Sequence, residues 1–336
     1  MKAKLCKKWK EDEDLYWKKL VELCKNKKVF IQTHNFPDPD AVSSAFGLQY
    51  FLKQYGIAAV LCYAGKIEKL NTKRMLSVFG IEMIYIDDII DMKPEDYIIT
   101  VDAQKYNANI SIFPGHEIAC IDHHPTFIEY EYEYKDVRIC GSCASIIAKY
   151  YEDAGMSLPE NVASALLYGI KVDTAELSRG VTDLDIDMFY MLYKKANLSK
   201  IASLYSNSME LNDLKAYGAA FESITIVDEI GFASIPFNCH DALIATISDF
   251  ILSLDVVECA VVYAIREDGI KFSVRSDMTD VDAGRLTEWA LGGVGTGGGH
   301  FSMAGGFIQT SNIEKFGKNL HGEIESRFVK AMNILR

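Results

Sequence analysis

The chain has 336 residues, enough for two domains at roughly 100–200 residues each, and its 49% hydrophobic and 24% charged content is that of an ordinary globular protein. A formal net charge of −12 argues against tight binding to long duplex nucleic acid, whose phosphates an acidic surface repels, but leaves room for a small phosphorylated ligand in a local basic pocket. No apolar run is long enough to span a bilayer, and the charged start Met1-Lys-Ala-Lys-Leu-Cys-Lys-Lys-Trp-Lys lacks a signal-peptide core, so the expected location is cytoplasmic, with no membrane partner.

In chain order, residues 3–27 read as an amphipathic, lysine-rich helix. Glu11, Asp12, Glu13 and Asp14 break up its basic charge, which fits a solvated capping segment over 1–27 better than a membrane-binding one. Lys28–Thr33 reads as a buried strand, Ala41–Tyr55 as a helix closed by Gly56, and Ala58–Tyr63 as a second strand. Met83–Ile86, Tyr97–Val101 and Glu117–Ile121 are further short strands, with helical spacing at 69–79 and 143–154. Strands alternating with helices predict an α/β domain with a doubly wound, mostly parallel sheet, whose ligand sites collect at the carboxyl ends of the strands.

From Asn161 to about Phe221 the pattern is helical, and 211–222 reads as a helix joining two domains. A smaller mixed α/β domain follows, with strands at Ser223–Val227, Phe232–Pro236, Val257–Ile265 and Ile270–Arg275 and helices near 240–252, 280–291 and 312–330. Of the eight cysteines only Cys140-Gly-Ser-Cys143 has metal or redox spacing, and no second pair completes a zinc site. It reads as a turn feeding a helix near Ala144, with two buried thiols.

Three predicted strand ends carry acids and histidines. They are His34-Asn-Phe-Pro37-Asp38-Pro39-Asp40, then Asp102, then Asp122-His123-His124; Asp173 ends the apolar helix that precedes it. Each alone is the ordinary stuff of caps and turns. Together, His34, Asp38, Asp40, Asp102, His123 and Asp173 would crowd one crevice with negative charge that only cations could neutralise. Carboxylate and imidazole ligands suit Mn²⁺ or Mg²⁺. His34 and Asp38 can face one ion and Asp40 another, with Asp102 as the bridge that two ions about 3.5–4 Å apart would require.

In the second domain, the run Gly292–Gly306 contains Gly297, Gly298, Gly299 and His300. A glycine run reads first as a flexible surface loop, and second as backbone N–H groups able to approach an anion. Arg275, on an alternating strand, is either a solvent-facing charge or a bidentate phosphate contact.

His34-x-x-Pro37-Asp38-x-Asp40, Asp102, Asp122-His123-His124, Asp173-Thr174 and Gly297-Gly298-Gly299-His300 with Ala304-Gly305 stand in the order that resembles the DHH phosphoesterases carrying a C-terminal DHHA1 domain, over about residues 28–325. The resemblance implies a DHH domain over 28–207, a linker helix over 208–222 and a DHHA1 domain over 223–336 that closes over a cleft. It implies that His34, Asp38 and Asp102 hold one Mn²⁺, and that Asp40, Asp102, His123 and Asp173 hold the other. Asp122 would orient the histidines, His124 would face the scissile phosphate, and Arg275, Gly298, Gly299 and His300 would hold the substrate.

The length looks most like the short oligoribonuclease (nanoRNase) and 3′-phosphoadenosine-5′-phosphate phosphatase group. The implied activity is metal-dependent hydrolysis of short oligonucleotides, dinucleotides or nucleoside bisphosphates, with homodimerisation resting on the resemblance alone. A cyclic-dinucleotide phosphodiesterase would use the same centre, and a nucleotide-binding protein without catalysis is the alternative of a different class. Pro39, Val42-Ser43, Thr296, Met303 and the stretch Asp173–Gly180 depart from the family's usual residues.

Overall fold

The computed structural model describes residues 16–67, 69–206, 211–317 and 319–336. The expected capping helix falls outside these up to residue 15 and is helical over Tyr16–Cys24; the expected linker, 208–222, lies outside them at 208–210 and is helical over Asp213–Glu222. The chain divides into two compact units, Met1–Ser208 and Met209–Arg336.

In the first unit, strands β1 (Val29–Gln32), β2 (Ala59–Tyr63), β3 (Ile84–Tyr85), β4 (Tyr97–Val101), β5 (His116–Asp122) and β6 (Tyr134–Val137) form one sheet in the order β3-β2-β1-β4-β5-β6. Every pairing in it is parallel. The α/β, doubly wound reading is therefore the observed one. The strand order reverses between β1 and β4, so their carboxyl ends open a crevice there. β6 had no apolar signature to announce it. It is held by its pairing with β5 and by Asp136, which accepts from the adjacent Arg138 Nε at 2.8 Å and from Tyr150 Oη of the following helix at 2.7 Å.

Helix Pro39–Gln54 begins two residues earlier than the spacing suggests. Asp38 accepts from the Asp40 and Ala41 N–H groups at 3.0 and 3.1 Å, and proline is at home in the first helical turn, where its missing N–H costs nothing. This helix packs on helix Glu160–Asp173 at a glycine: a Cβ on Gly169 would stand 2.1 Å from Ser43 Oγ. That close approach sets the start of one helix beside the end of the other, and hence Asp40 beside Asp173. The core between them includes Val42, Leu48, Leu166 and Ile147, all fully buried.

In the second unit, β7 (Thr225–Val227), β8 (Ile230–Ile235), β9 (Cys259–Ile265), β10 (Gly269–Ser276), β11 (Thr296–Gly299) and β12 (Met303–Gln309) form a sheet in the order β11-β12-β10-β9-β8-β7. β8 and β9 are parallel and the remaining pairs antiparallel. Helix Asp241–Leu252 packs through Ile244, Ile247 and Ile251 in a core with Ala260 and Val262, while Ala283–Leu291 and Leu320–Leu335 join a core with Phe272 and Val274.

The glycine run corrects an expectation. Residues 296–299 are an edge strand paired with β12, with Gly298 opposite Gly305, where a flexible loop was the first reading. A Cβ on Gly297 would lie 2.7 Å from Thr287 O, and one on Gly299 2.3 Å from Met303 O. Glycine is required there by the nearness of a helix and a strand, information absent from the local sequence. No described helix is long and apolar enough to cross a membrane.

Candidate metal centre

The crevice between β1 and β4 gathers its polar residues from five places. His34 follows β1, Asp38 and Asp40 open helix Pro39–Gln54, Asp102 follows β4, and Asp122 closes β5 ahead of His123 and His124; Asp173 arrives from the end of its helix. Ligand atoms of His34, Asp38 and Asp102 lie within 4.8 Å of one another, and so do those of Asp40, His123 and Asp173. His34 Nε2 is 3.9 Å from Asp38 Oδ1 and 3.6 Å from Asp102 Oδ2. His123 Nε2 is 3.3 Å from Asp102 Oδ1, 3.4 Å from Asp173 Oδ2 and 3.9 Å from Asp40 Oδ2.

Asp102 thus turns one oxygen toward each group. Its Oδ1 is buried and accepts no hydrogen bond of normal geometry, its neighbour there being His123 Nε2 at 3.3 Å. A buried carboxylate oxygen without a donor is costly, and a divalent cation between the groups would satisfy it. The backbone of Asp102 sits at φ 58°, a left-handed conformation disfavoured for a residue with a side chain. Its N–H donates to Ile121 O at 2.9 Å, which ties the turn to β5.

The supports around the centre are specific. Asp40 accepts from Cys143 N–H at 2.7 Å and Ala144 N–H at 2.9 Å, so the first turn of helix Cys143–Asp153 holds its carboxylate. His123 Nδ1–H donates to Cys140 O at 3.0 Å, which leaves Nε2 for the carboxylates. Gly141 N–H in turn donates to Asp185 Oδ2 at 2.7 Å. The Cys140–Cys143 turn therefore serves through its backbone, and both thiols are buried and free. Burial lifts the Cys140 thiol to about 12.

Asp122, fully buried, accepts from the N–H groups of His123 (2.8 Å) and His124 (3.3 Å) and from His124 Nδ1–H (2.9 Å). Gln104 Nε2 donates to Asp122 Oδ2 at 2.7 Å and to His124 O at 3.0 Å. The sequence reading missed Gln104 and Asp185. A glutamine two residues past a strand-end aspartate is a faint signal, and Asp185, between Asp183 and Asp187, has no local feature to single it out.

Charge crowding governs the acid–base state. For His34, burial pulls the pKa down, but Asp102 and Asp38 outweigh it and raise it to about 10. For His123 burial is likewise outweighed, chiefly by Asp102, and its pKa rises to about 11. Burial would lift Asp102, yet His123 and His34 hold it below the ordinary carboxylate range. Burial, then the charges of Asp102 and Asp173, push Asp40 well up; burial and Asp102 raise Asp173 to about 6. The hydrogen bond to Asp122 raises His124.

The residues expected in the second domain lie in the second unit. Arg275 Nε donates to Asp249 Oδ1 at 2.6 Å, and its Nη1 to Ser273 Oγ and Val274 O. Gly298 is open, with nothing within 4 Å of a notional Cβ. Gly299 ends the edge strand and His300 follows it, where its N–H donates to Met303 O at 2.7 Å.

Residues 28–170 match the DHH family, N-terminal domain, and residues 227–326 the DHHA1 domain. An uncharacterized protein of Methanocaldococcus jannaschii is 26% identical over 318 residues, covering 92% of this chain and 65% of that protein, so this chain spans less than two-thirds of its length. A probable manganese-dependent inorganic pyrophosphatase of Streptococcus mutans is 25% identical over 196 residues, 57% of this chain and 59% of that protein. Among solved structures, an exopolyphosphatase-related protein from Bacteroides fragilis aligns with a TM-score of 0.72 at 19% identity, covering 95% of this chain and 96% of that one, a likeness of fold.

Proposed function

Residues 28–170 belong to the DHH family and residues 227–326 to the DHHA1 domain, and from that premise we propose that this chain is a phosphoesterase that hydrolyses phosphate esters of short oligonucleotides, dinucleotides or nucleoside bisphosphates with two divalent ions, Mn²⁺ foremost. The observation that carries the reading is Asp102, whose two oxygens face separate ligand groups, Oδ2 toward His34 and the buried Oδ1 toward His123. His34, Asp38 and Asp102 would hold one ion, and Asp40, Asp102, His123 and Asp173 the other. Bound there, the ions would supply an acidified water and offset the charge that develops on the phosphoryl oxygens.

The chain's own residues do the rest. His124 commits Nδ1 to Asp122, so its Nε2 is the atom left to meet a phosphate oxygen or the leaving group. Asp122 fixes the ring, and its remaining oxygen is taken by Gln104, so Asp122 acts as a pure acceptor. Arg275, Gly298, Gly299 and His300 are proposed to bind the substrate. A phosphate meeting Arg275 would compete with or share Asp249, which at 61% exposure is solvated enough to yield.

The test is a Mn²⁺-dependent hydrolysis panel on the purified protein: 3′-phosphoadenosine-5′-phosphate, linear and cyclic dinucleotides, a short RNA, a long RNA and pyrophosphate. Preference for the short RNA and the bisphosphate supports the proposal; preference for the cyclic dinucleotide moves the protein to a signalling role. No turnover with any divalent metal leaves nucleotide binding without catalysis. Asp102→Ala is expected to lose at least about 100–1000-fold in turnover with the fold intact by circular dichroism. Near-normal turnover of that variant would sink the two-ion scheme.

A further inference from the structure

The stretch after Asp173, where this chain departs from the usual family residues, has an unusual backbone. Ala175, Glu176 and Leu177 lie at φ 47°, 58° and 65°, three successive non-glycine residues in the left-handed region. Residues with a Cβ avoid that region because the Cβ crowds the following carbonyl, and a run of them persists only where the surroundings hold it.

The surroundings here are identifiable. Within the turn, Ser178 and Arg179 N–H groups both donate to Thr174 O at 2.9 Å, and Leu177 N–H to Thr174 Oγ1 at 3.1 Å. From outside, Glu176 is gripped at both oxygens: Oε2 pairs with Lys171 Nζ at 2.9 Å, and Oε1 accepts from Tyr205 Oη. Arg179 Nη2 donates to the backbone carbonyl of Asp173 itself at 2.8 Å.

We propose that Glu176 is a positioning residue for the metal centre: gripped by Lys171 and Tyr205, it holds the left-handed turn that aims the Asp173 carboxylate at the group formed with Asp40 and His123. The proposal rests on the reading of Asp173 as a metal ligand. Glu176 is 55% exposed, and an exposed pair contributes little to global stability. Its loss should therefore leave the fold nearly as stable as before while loosening one ligand, which separates positioning from a merely structural role.

The experiment is Mn²⁺ titration calorimetry with thermal unfolding on the wild type, Glu176→Ala, Glu176→Gln, and Glu176→Ala combined with Ala175→Gly. The wild type is expected to bind two ions. Glu176→Ala is expected to weaken one binding event by roughly 10-fold, the low end of what loss of a group bonded directly to a ligand causes, since Glu176 acts through the turn, and to leave the other and the unfolding temperature nearly unchanged. Glu176→Gln keeps an acceptor for Tyr205 and should fall between the two. Glycine at 175 adopts the left-handed backbone without the Cβ clash, so the double variant should recover part of the loss.

A wild type that binds no Mn²⁺ overturns the metal reading, and this proposal with it. If the wild type binds two ions, the proposal alone is overturned by unchanged affinity in Glu176→Ala or by equal weakening of both events. A weakened event that glycine does not recover overturns it too.

Discussion

The protonation state of the centre at neutral pH follows from two histidines that keep their protons. In the metal-free chain, His34 and His123 stay cationic up to about 10 and 11, and Asp173 takes up a proton below about 6. Cation binding requires neutral imidazoles and ionised carboxylates, so each ion must displace these protons. Apparent Mn²⁺ affinity is therefore expected to rise with pH across 5 to 9, most steeply around and below 6, where Asp173 must also ionise. Calorimetry in buffers of differing ionisation enthalpy should show net proton release at pH 7; proton uptake, or none, would contradict the assignment. Gln104 belongs to the same scale. It closes the last free oxygen of Asp122, a contact that can be seen only once β4 and β5 are paired.

Two elements depend on glycine because a neighbour comes too close for a Cβ. At Gly169, helices Pro39–Gln54 and Glu160–Asp173 touch, and a methyl group would overlap Ser43 Oγ. Gly169→Ala should cost roughly 1–3 kcal/mol by urea denaturation and lower metal affinity too, because it separates Asp40 from Asp173. In the edge strand β11, Gly297 faces the backbone of Thr287, whereas Gly298 faces open space. Gly297→Ala should therefore cost a similar ~1–3 kcal/mol, and Gly298→Ala should stay within about 0.5 kcal/mol. If Gly298 lies against substrate as proposed, its alanine variant instead raises KM at unchanged stability. A large stability loss at Gly298 would show that the strand's open face is packed in solution.

For the whole molecule, the acidic centre is a source of repulsion that cations remove. Asp40 and Asp173 are both raised by burial and by neighbouring carboxylates, so the metal-free first unit carries strained charge. An ion present at 100 times its dissociation constant stabilises the state that binds it by about 2.7 kcal/mol. Scanning calorimetry with Mn²⁺ against a chelator should accordingly raise the unfolding transition of the first unit by several degrees. A scan unmoved by Mn²⁺ would count against the centre as a metal site.

Much of this was legible in the chain itself. Strand and helix alternation is a local pattern of apolar spacing, and it led to the doubly wound sheet. The acids and histidines could be picked out because parallel topology carries strand ends to one edge, and because few other residue types serve a divalent ion. What the local pattern could not carry was anything decided by a distant partner. β6 is decided by its pairing with β5 and by Tyr150 on the following helix, and β11 by its pairing with β12, although its glycines have low strand preference.

Likewise, only the folded chain decides that Asp102 divides its oxygens between two groups, that Asp185 steadies the turn behind His123, and that Glu176 meets Tyr205. The physical reason is common to all of them. Side-chain chemistry and periodicity are properties of a residue and its near neighbours, whereas convergence, burial and unsatisfied polar atoms are properties of segments far apart in sequence that packing brings within a few ångströms.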